Sequence, residues 1–422
     1  MDEATKSRNQ AVDILRGIAM LMVVLGHTMT GCTVNSQESF LFNVIWTLQM
    51  PLFILISGYV TRYSHPILSF KSYGRFIWKR TLAYLLPWVV WTFVIRGVIF
   101  QQSGYLDTKY VFYNMDAGYW FLFTIWTISM IFGASQIVSE KLCSNKSKFV
   151  RIATLAVLYV FGMGILAGTG IIMGLSFCCI KLTLYYMPFY FAGYLFGQVQ
   201  SDIEKLKCGK SILEVTVAVC LVVWLVLMQR YSFYEIGDSG FGIILRATAS
   251  LCGCIAVCGL VTMLIFNSRR ILRGGGDTPT VCRCALVGNL HDTLSAFVDG
   301  ESTGASDVQH IAGCAVGSTE LCNNGGCCHS NHCDGQHEQS AQKRIVWQNF
   351  LAWIGQHSLE IYVLHGFMLN LLKVTDIVVF DTLYGIGLMA INYCATVILT
   401  GLITLLIGQS RIIRIYMFGK MK

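Results

Sequence analysis

Residues 13–27 read Asp13-Ile-Leu-Arg16-Gly-Ile-Ala-Met-Leu-Met-Val-Val-Leu-Gly-His27, and the apolar run continues through Thr30. It is long enough to cross a bilayer, yet it holds an acid, a guanidinium and an imidazole. Such groups are costly in hydrocarbon and mark a pathway or a chemical site. At about 100° and 1.5 Å per residue, the step from Arg16 to His27 returns to nearly the same helix face about 16 Å further along the axis. Asp13 lies three residues before Arg16, within side-chain reach on that face. The first hydrophobic helix therefore presents an ion pair near its start and an imidazole near mid-membrane. The plainer reading is an arginine marking the cytosolic end and a histidine bonded to a neighbouring helix.

Working outward, the chain of 422 residues is 55% hydrophobic and only 13% charged, with a mean hydropathy of +0.58. A soluble domain carries about 25% charged residues, so the composition excludes a large soluble core and predicts an all-α polytopic membrane protein. About ten transmembrane helices are expected, at roughly 12–31, 42–61, 77–100, 118–137, 149–175, 183–199, 211–229, 241–266, 347–372 and 379–407. Each suits a hydrocarbon core of about 30 Å if the longer ones tilt or break. The first helix is longer than a signal-peptide core and is expected to be retained.

The formal net charge of +8 is distributed as topology information and does not suggest nucleic acid. Basic residues gather in alternate loops: Arg62 to Arg80, Lys141 to Arg151, Lys205 to Lys210, Arg269 to Arg273, and Arg411 to Lys422. The intervening loops hold few, namely Lys109, Lys181, Arg230 and Lys373. The positive-inside rule then predicts a multi-pass cell-membrane protein with an even number of spans and both termini cytosolic.

Residues 274–343 break the pattern, dividing the chain into spans 1–8 (1–273), a Cys/His/Gly-rich cytosolic insert, and spans 9–10 with a cytosolic tail (344–422). Of 17 cysteines, seven fall between Cys282 and Cys333, joined by His329, His332 and His337. Thiolate and imidazole are zinc ligands. However, adjacent Cys327, Cys328 and His329 cannot all bind one ion without strain, and two clean ligand pairs are missing. The expectation is an insertion without zinc.

Three further stretches carry polar groups. The second span opens Trp46-Thr-Leu-Gln49-Met-Pro51 and runs to Ser57-Gly58; Pro51 removes a backbone bond and can kink the helix. Ahead of Pro87, Arg75, Lys79 and Arg80 form a basic face able to bind lipid head groups or cofactor phosphates. The ninth span holds Ser358, Tyr362 and His365 at steps of four and three, giving one polar stripe. Glu360 in the same span should find a basic partner or take a proton.

Asp13 to His27, Gln49-Met-Pro-Leu-Phe to Gly58, and Ile354-Gly-Gln-His-Ser-Leu-Glu-Ile-Tyr-Val-Leu-His365, in this order on ten spans, resemble the acyltransferase 3 family of integral-membrane acyltransferases. The nearest flavour is similar to its fucose 4-O-acetylase-like and enterobacterial-common-antigen O-acetyltransferase-like members. The most specific part is the Arg16 to His27 interval, which matches the spacing between the family's arginine and its essential histidine. Two features depart from the pattern: Gln49 stands where many members of this flavour have histidine, and the Cys-rich insert has no counterpart.

The resemblance implies transfer of an acyl group, commonly acetyl, from a cytosolic coenzyme A thioester to a hydroxyl of a glycan or small envelope molecule. It implies Arg16, Arg75, Lys79 and Arg80 as donors to the acyl-CoA phosphates, and a catalytic group of His27, Asp13, Tyr362 and His365. His27 then either takes the acceptor's proton or accepts the acyl group and relays it. Tyr362, Ser358 or Gln49 are candidates to bond the developing oxyanion. The alternative is a multi-span transporter or flippase that uses the same buried charges as its path.

Overall fold

The structure, a computed structural model, describes residues 9–64, 67–205, 209–234, 239–272, 346–372 and 378–420. The chain divides into two units, 1–265 with 347–422, and 266–346. The Cys/His-rich stretch falls in the second unit, outside the described residues. Among the described cysteines none is in a disulfide, and no group of three or more His, Cys, Asp or Glu is placed to hold a metal ion.

The first unit is a helical bundle. In chain order it holds α1 (Gln10–Cys32), α2 (Phe40–Val60), α3 (Phe70–Ile99), the short α4 (Thr108–Tyr113), α5 (Trp120–Leu142), α6 (Lys148–Met173), α7 (Ile180–Glu204), α8 (Gly209–Arg230) and the start of α9 (Gly240–Leu272). After the second unit come α10 (346–356), α11 (Ser358–Leu372), α12 (Leu383–Ile407) and α13 (Arg411–Phe418). Two-residue strands Thr33–Val34 and Val378–Val379 pair in parallel where α1 ends and α12 is about to begin.

Among the described residues, eight helices are long and apolar enough to cross a membrane, against the ten expected. The two exceptions have separate physical causes. The expected sixth span is present as α7, 25 residues long, but it is more polar because it lies within the bundle. Its Tyr186, Tyr190 and Tyr194 are buried, and it packs along α2 in direct backbone contact. A Cβ on Gly58 would overlap the Tyr190 carbonyl, and one on Gly193 the Leu55 carbonyl.

The expected ninth span is divided at His357. There a backbone N–H is shared between the carbonyls of Trp353 and Ile354 (3.1 and 3.2 Å), tightening the last turn of α10 before the 15-residue α11 resumes. Pro51, by contrast, leaves α2 helical throughout. At Pro87 the helix α3 absorbs the lost bond by running π-helically over Thr81–Leu85 and Val90–Ile99.

Burial ranks the helices. The most apolar windows of α1 and α2 are 67% buried, against 17% for α6 and 22% for α12, so α1 and α2 form the centre and the others face outward. Asn43 ties the bundle together on the side where α2 begins. Its amide donates to the Met228 and Tyr231 carbonyls (3.1 and 2.8 Å) and accepts from the Phe233 N–H (3.0 Å).

Glu360, buried in α11, finds its basic partner in Lys420, whose ammonium also donates to the Gln356 carbonyl at 3.1 Å. The tail reaches that point because α13 docks on α3: the Trp91 indole donates to the Met417 carbonyl at 2.9 Å, and Phe418 is fully buried. Lys420→Met is expected to lower stability by about 2 kcal/mol, less than the ~3–5 kcal/mol of a fully buried pair because the lysine keeps contact with water. Adding Glu360→Gln should recover most of that loss in a thermal melt. A double variant no better than the single one would show that the pair does not hold the tail.

Candidate functional site

His27 occupies the far half of α1, counted from where that helix begins. Its side chain is accessible although protein packs around it. No hydrogen bond from a described residue engages its ring, which leaves both nitrogens available to a substrate. Beside it, α11 places the buried His365, with ring centroids 5.1 Å apart.

The His365 tautomer is fixed by its surroundings. Nδ1 lies 2.7 Å from the Tyr362 carbonyl and 3.2 Å from the Ile361 carbonyl. Carbonyls only accept, so Nδ1 carries the proton and Nε2 keeps its lone pair. The site thus contains one imidazole open to a reactant and a second held as a proton acceptor next to it.

Aromatic side chains wall the pair. Tyr362 is 5.8 Å from the His365 ring, 5.4 Å from Phe121 and 6.3 Å from Tyr119, centroid to centroid. The Tyr119 hydroxyl donates to the Val363 carbonyl at 3.2 Å. On the other side, α2 presents Gln49 against Gly26: its Oε1 is buried without a hydrogen-bond partner among the described residues, and would stand 3.1 Å from a Cβ on that glycine. Gly26 precedes His27 in α1, so this free acceptor lies at the same level of the bundle as His27. An amide at this position cannot take the proton a histidine there could.

Cys179 lies near Tyr362, in the turn between α6 and α7, and would be a rival nucleophile if ionised. Burial, reinforced by Asp116 and Cys178, pushes its thiol up to about 12. It stays protonated at neutral pH and is a poor nucleophile there.

The remaining predicted residues lie elsewhere. Asp13 is buried and accepts from the Gln356 amide at 3.2 Å, linking α1 to α10. Arg16, half-buried, is one turn further along α1. A crevice of about 320 Å³ at this end is lined by Gln10, Asp13, Asn349, Ala352, Trp353 and Gln356. Its polar groups are amides and a carboxylate, a lining without the cations a phosphate needs. In α3 the expected basic face divides: Arg75 and Lys79 are exposed one turn apart, whereas Arg80 turns inward. Its guanidinium donates to the Tyr84 hydroxyl at 3.0 Å and lies over the rings of Phe76 and Tyr84. Ser358, half-buried, opens α11 one turn before the buried Tyr362.

Two arginines escaped the sequence reading. Arg96, in the last turns of α3, donates to the Tyr105 hydroxyl at 2.6 Å and stacks over Tyr119. Arg246, in α9, lies over Tyr185 at 5.0 Å. The available signal was the one used for Arg16, a guanidinium inside an apolar run.

An α-helical bundle with eight helices long and apolar enough to cross a membrane among the described residues, and with two adjoining imidazoles on α1 and α11, defines a polytopic membrane protein. The chain belongs to the acyltransferase 3 family: the model described as "Acyltransferase domain" matches residues 9–281. It is similar to the nodulation protein NolL of Mesorhizobium japonicum, 28% identical over 203 residues covering 46% of this chain and 49% of that protein. It is also similar to the nodulation protein NolL of Sinorhizobium fredii, 26% identical over 220 residues covering 49% of this chain and 54% of the relative. The chain thus spans about half the length of the curated relatives it matches. No solved structure matches it.

Proposed function

We propose that the protein is a membrane-bound O-acyltransferase that moves an acyl group, acetyl in the simplest case, from a coenzyme A thioester to a hydroxyl of a cell-envelope glycan or small molecule. The observation that carries this reading is the pairing of the unengaged His27 ring with a His365 whose free nitrogen is a proton acceptor.

In direct transfer, neutral His27 takes the acceptor hydroxyl's proton as its oxygen attacks the thioester carbonyl. The C–S bond breaks, and the imidazolium returns the proton to the departing thiolate. In the relay, the lone-pair nitrogen of His27 attacks the carbonyl and the C–S bond breaks, while the proton on the other His27 nitrogen passes by way of His365 Nε2 to the thiolate; the acceptor oxygen then attacks the acyl carbon, the C–N bond breaks, and the hydroxyl proton returns to the imidazole. The relay suits a donor and an acceptor that approach from opposite faces. Tyr362 and Gln49 border the space where the tetrahedral oxygen would develop.

Arg16, Arg75 and Lys79 supply cations on the side where α1 begins, which we assign to the cytosol together with both termini. Arg80, already bonded to Tyr84, would contribute from behind them. Asp13 positions α1 and does not reach the reacting atoms in this reading.

The test is transfer of label from acetyl-coenzyme A in sealed membrane vesicles, with the thioester supplied on one face at a time. Consumption from the cytosolic face alone, with label appearing in a hydroxylated product, is expected. Movement of an acceptor across the membrane with no thioester consumed would favour the transporter reading instead. Arg16→Gln should raise the apparent KM for the thioester about tenfold with little change in kcat, since it removes a charge-assisted phosphate contact of about 1.4 kcal/mol. An unchanged KM would remove Arg16 from the donor site.

A further inference from the structure

The role of Arg246 is not accounted for by the histidine pair. It sits seven residues into α9, in the half of the bundle that also holds His27, because α1 ends and α9 begins on the same side. Its Nε is buried and has no hydrogen-bond partner among the described residues. No described carboxylate forms an ion pair with it. Like Arg80 and Arg96, which are engaged by the phenols of Tyr84 and Tyr105, Arg246 hydrogen-bonds a phenol, that of Tyr185, but its Nε is left over. A guanidinium left in this state inside a membrane bundle carries a desolvation cost that an anion can offset.

Its surroundings specify more than charge. Tyr185 lies under the guanidinium, and the Tyr185 and Tyr186 rings are 5.0 Å apart. Tyr186 stacks on Trp120 at 5.6 Å with planes 16° apart. Tyr186 lies within electrostatic reach of both Arg246 and Tyr362, and Tyr362 walls the histidine site. Ser250, one turn along the same face of α9, adds a buried hydroxyl. Flat aromatic faces beside a cation and a hydroxyl suit a sugar ring that carries an anionic group.

We infer that Arg246, with Tyr185, Tyr186 and Ser250, binds the anionic group of the acyl acceptor, a sugar bearing a phosphate or a carboxylate, and holds its hydroxyl toward His27. This rests on the acyl-transfer reading for the identity of the ligand as an acceptor, whereas the anion site itself can be measured without turnover.

The experiment is isothermal titration of the full chain in lipid nanodiscs with methyl glucoside, methyl glucuronide and glucose 1-phosphate. Wild type should bind at least one of the two anionic probes tenfold or more tightly than the neutral one, and which of them wins identifies a carboxylate or a phosphate. Arg246→Gln should erase that preference and Arg246→Lys should retain it in part, which separates loss of charge from loss of fold. Equal binding of all three probes, no binding of any, or an unchanged preference in Arg246→Gln would overturn the inference. A wild-type chain that discriminates the anions yet consumes no acetyl-coenzyme A would remove the acyl-transfer reading and leave the anion site standing.

Discussion

Replacing His27 by alanine is expected to lower acyl transfer about a thousandfold or more while the protein remains inserted and folded. A positioned general base contributes roughly 10²–10⁴-fold, and about three decades correspond to ~4 kcal/mol of barrier. The fold should survive because the ring makes no hydrogen bond to a described residue and is accessible, so its removal leaves no buried partner unsatisfied. His27→Asn keeps a polar group but not the basicity and should be nearly as slow. Initial rates of labelled transfer at matched protein levels make the measurement. Activity within about fivefold of wild type in both variants would assign the proton transfer elsewhere, with His365 the first candidate.

The second large effect is structural. Gly355 of α10 and Gly17 of α1 lie back to back. A Cβ on Gly355 would overlap the Asp13 carbonyl oxygen and come within 2.9 Å of the Gly17 amide nitrogen. A Cβ on Gly17 would overlap the Leu351 carbonyl. Because backbone and not a flexible side chain is the obstacle, relief requires the two helices to separate. Gly355→Ala is therefore expected to cost about 3 kcal/mol or more, the upper end of overpacking penalties. It should also impair transfer, since α11 follows α10 directly and the 5.1 Å approach of His365 to His27 depends on their register. Gly366→Ala is the control: nothing lies within 4 Å of a Cβ there, although it adjoins His365. Melting temperatures of both variants in one detergent decide the matter. A Gly355→Ala protein as stable as the control would mean that these helices do not touch.

Much of this site was legible in the chain because membrane spans have a strict vocabulary. An imidazole or guanidinium inside an apolar run stands out against its surroundings. Helical spacing alone put Tyr362 and His365 on one face, and Glu360's need for a basic partner followed from burial. What was not legible is which of these groups meet. Arg75, Lys79 and Arg80 are indistinguishable as a basic cluster in sequence, yet the third turns onto Tyr84 while the others face outward, because a step of one residue rotates a side chain about 100° around the helix.

Local sequence is enough to make the chain an α-helical polytopic membrane protein, to set the approximate limits of most of its spans, and to mark the polar groups buried in them. Hydropathy and helical period are local properties that need no partner. Tertiary structure alone decided the partners. It set His365 beside His27 across 338 positions of chain, joined Glu360 to a lysine in the tail, and drew a tyrosine-rich helix into the interior. It also left Arg246 without a counter-ion among the described residues. These pairings depend on which helix faces pack together, and packing joins faces that no local pattern in the chain relates to one another.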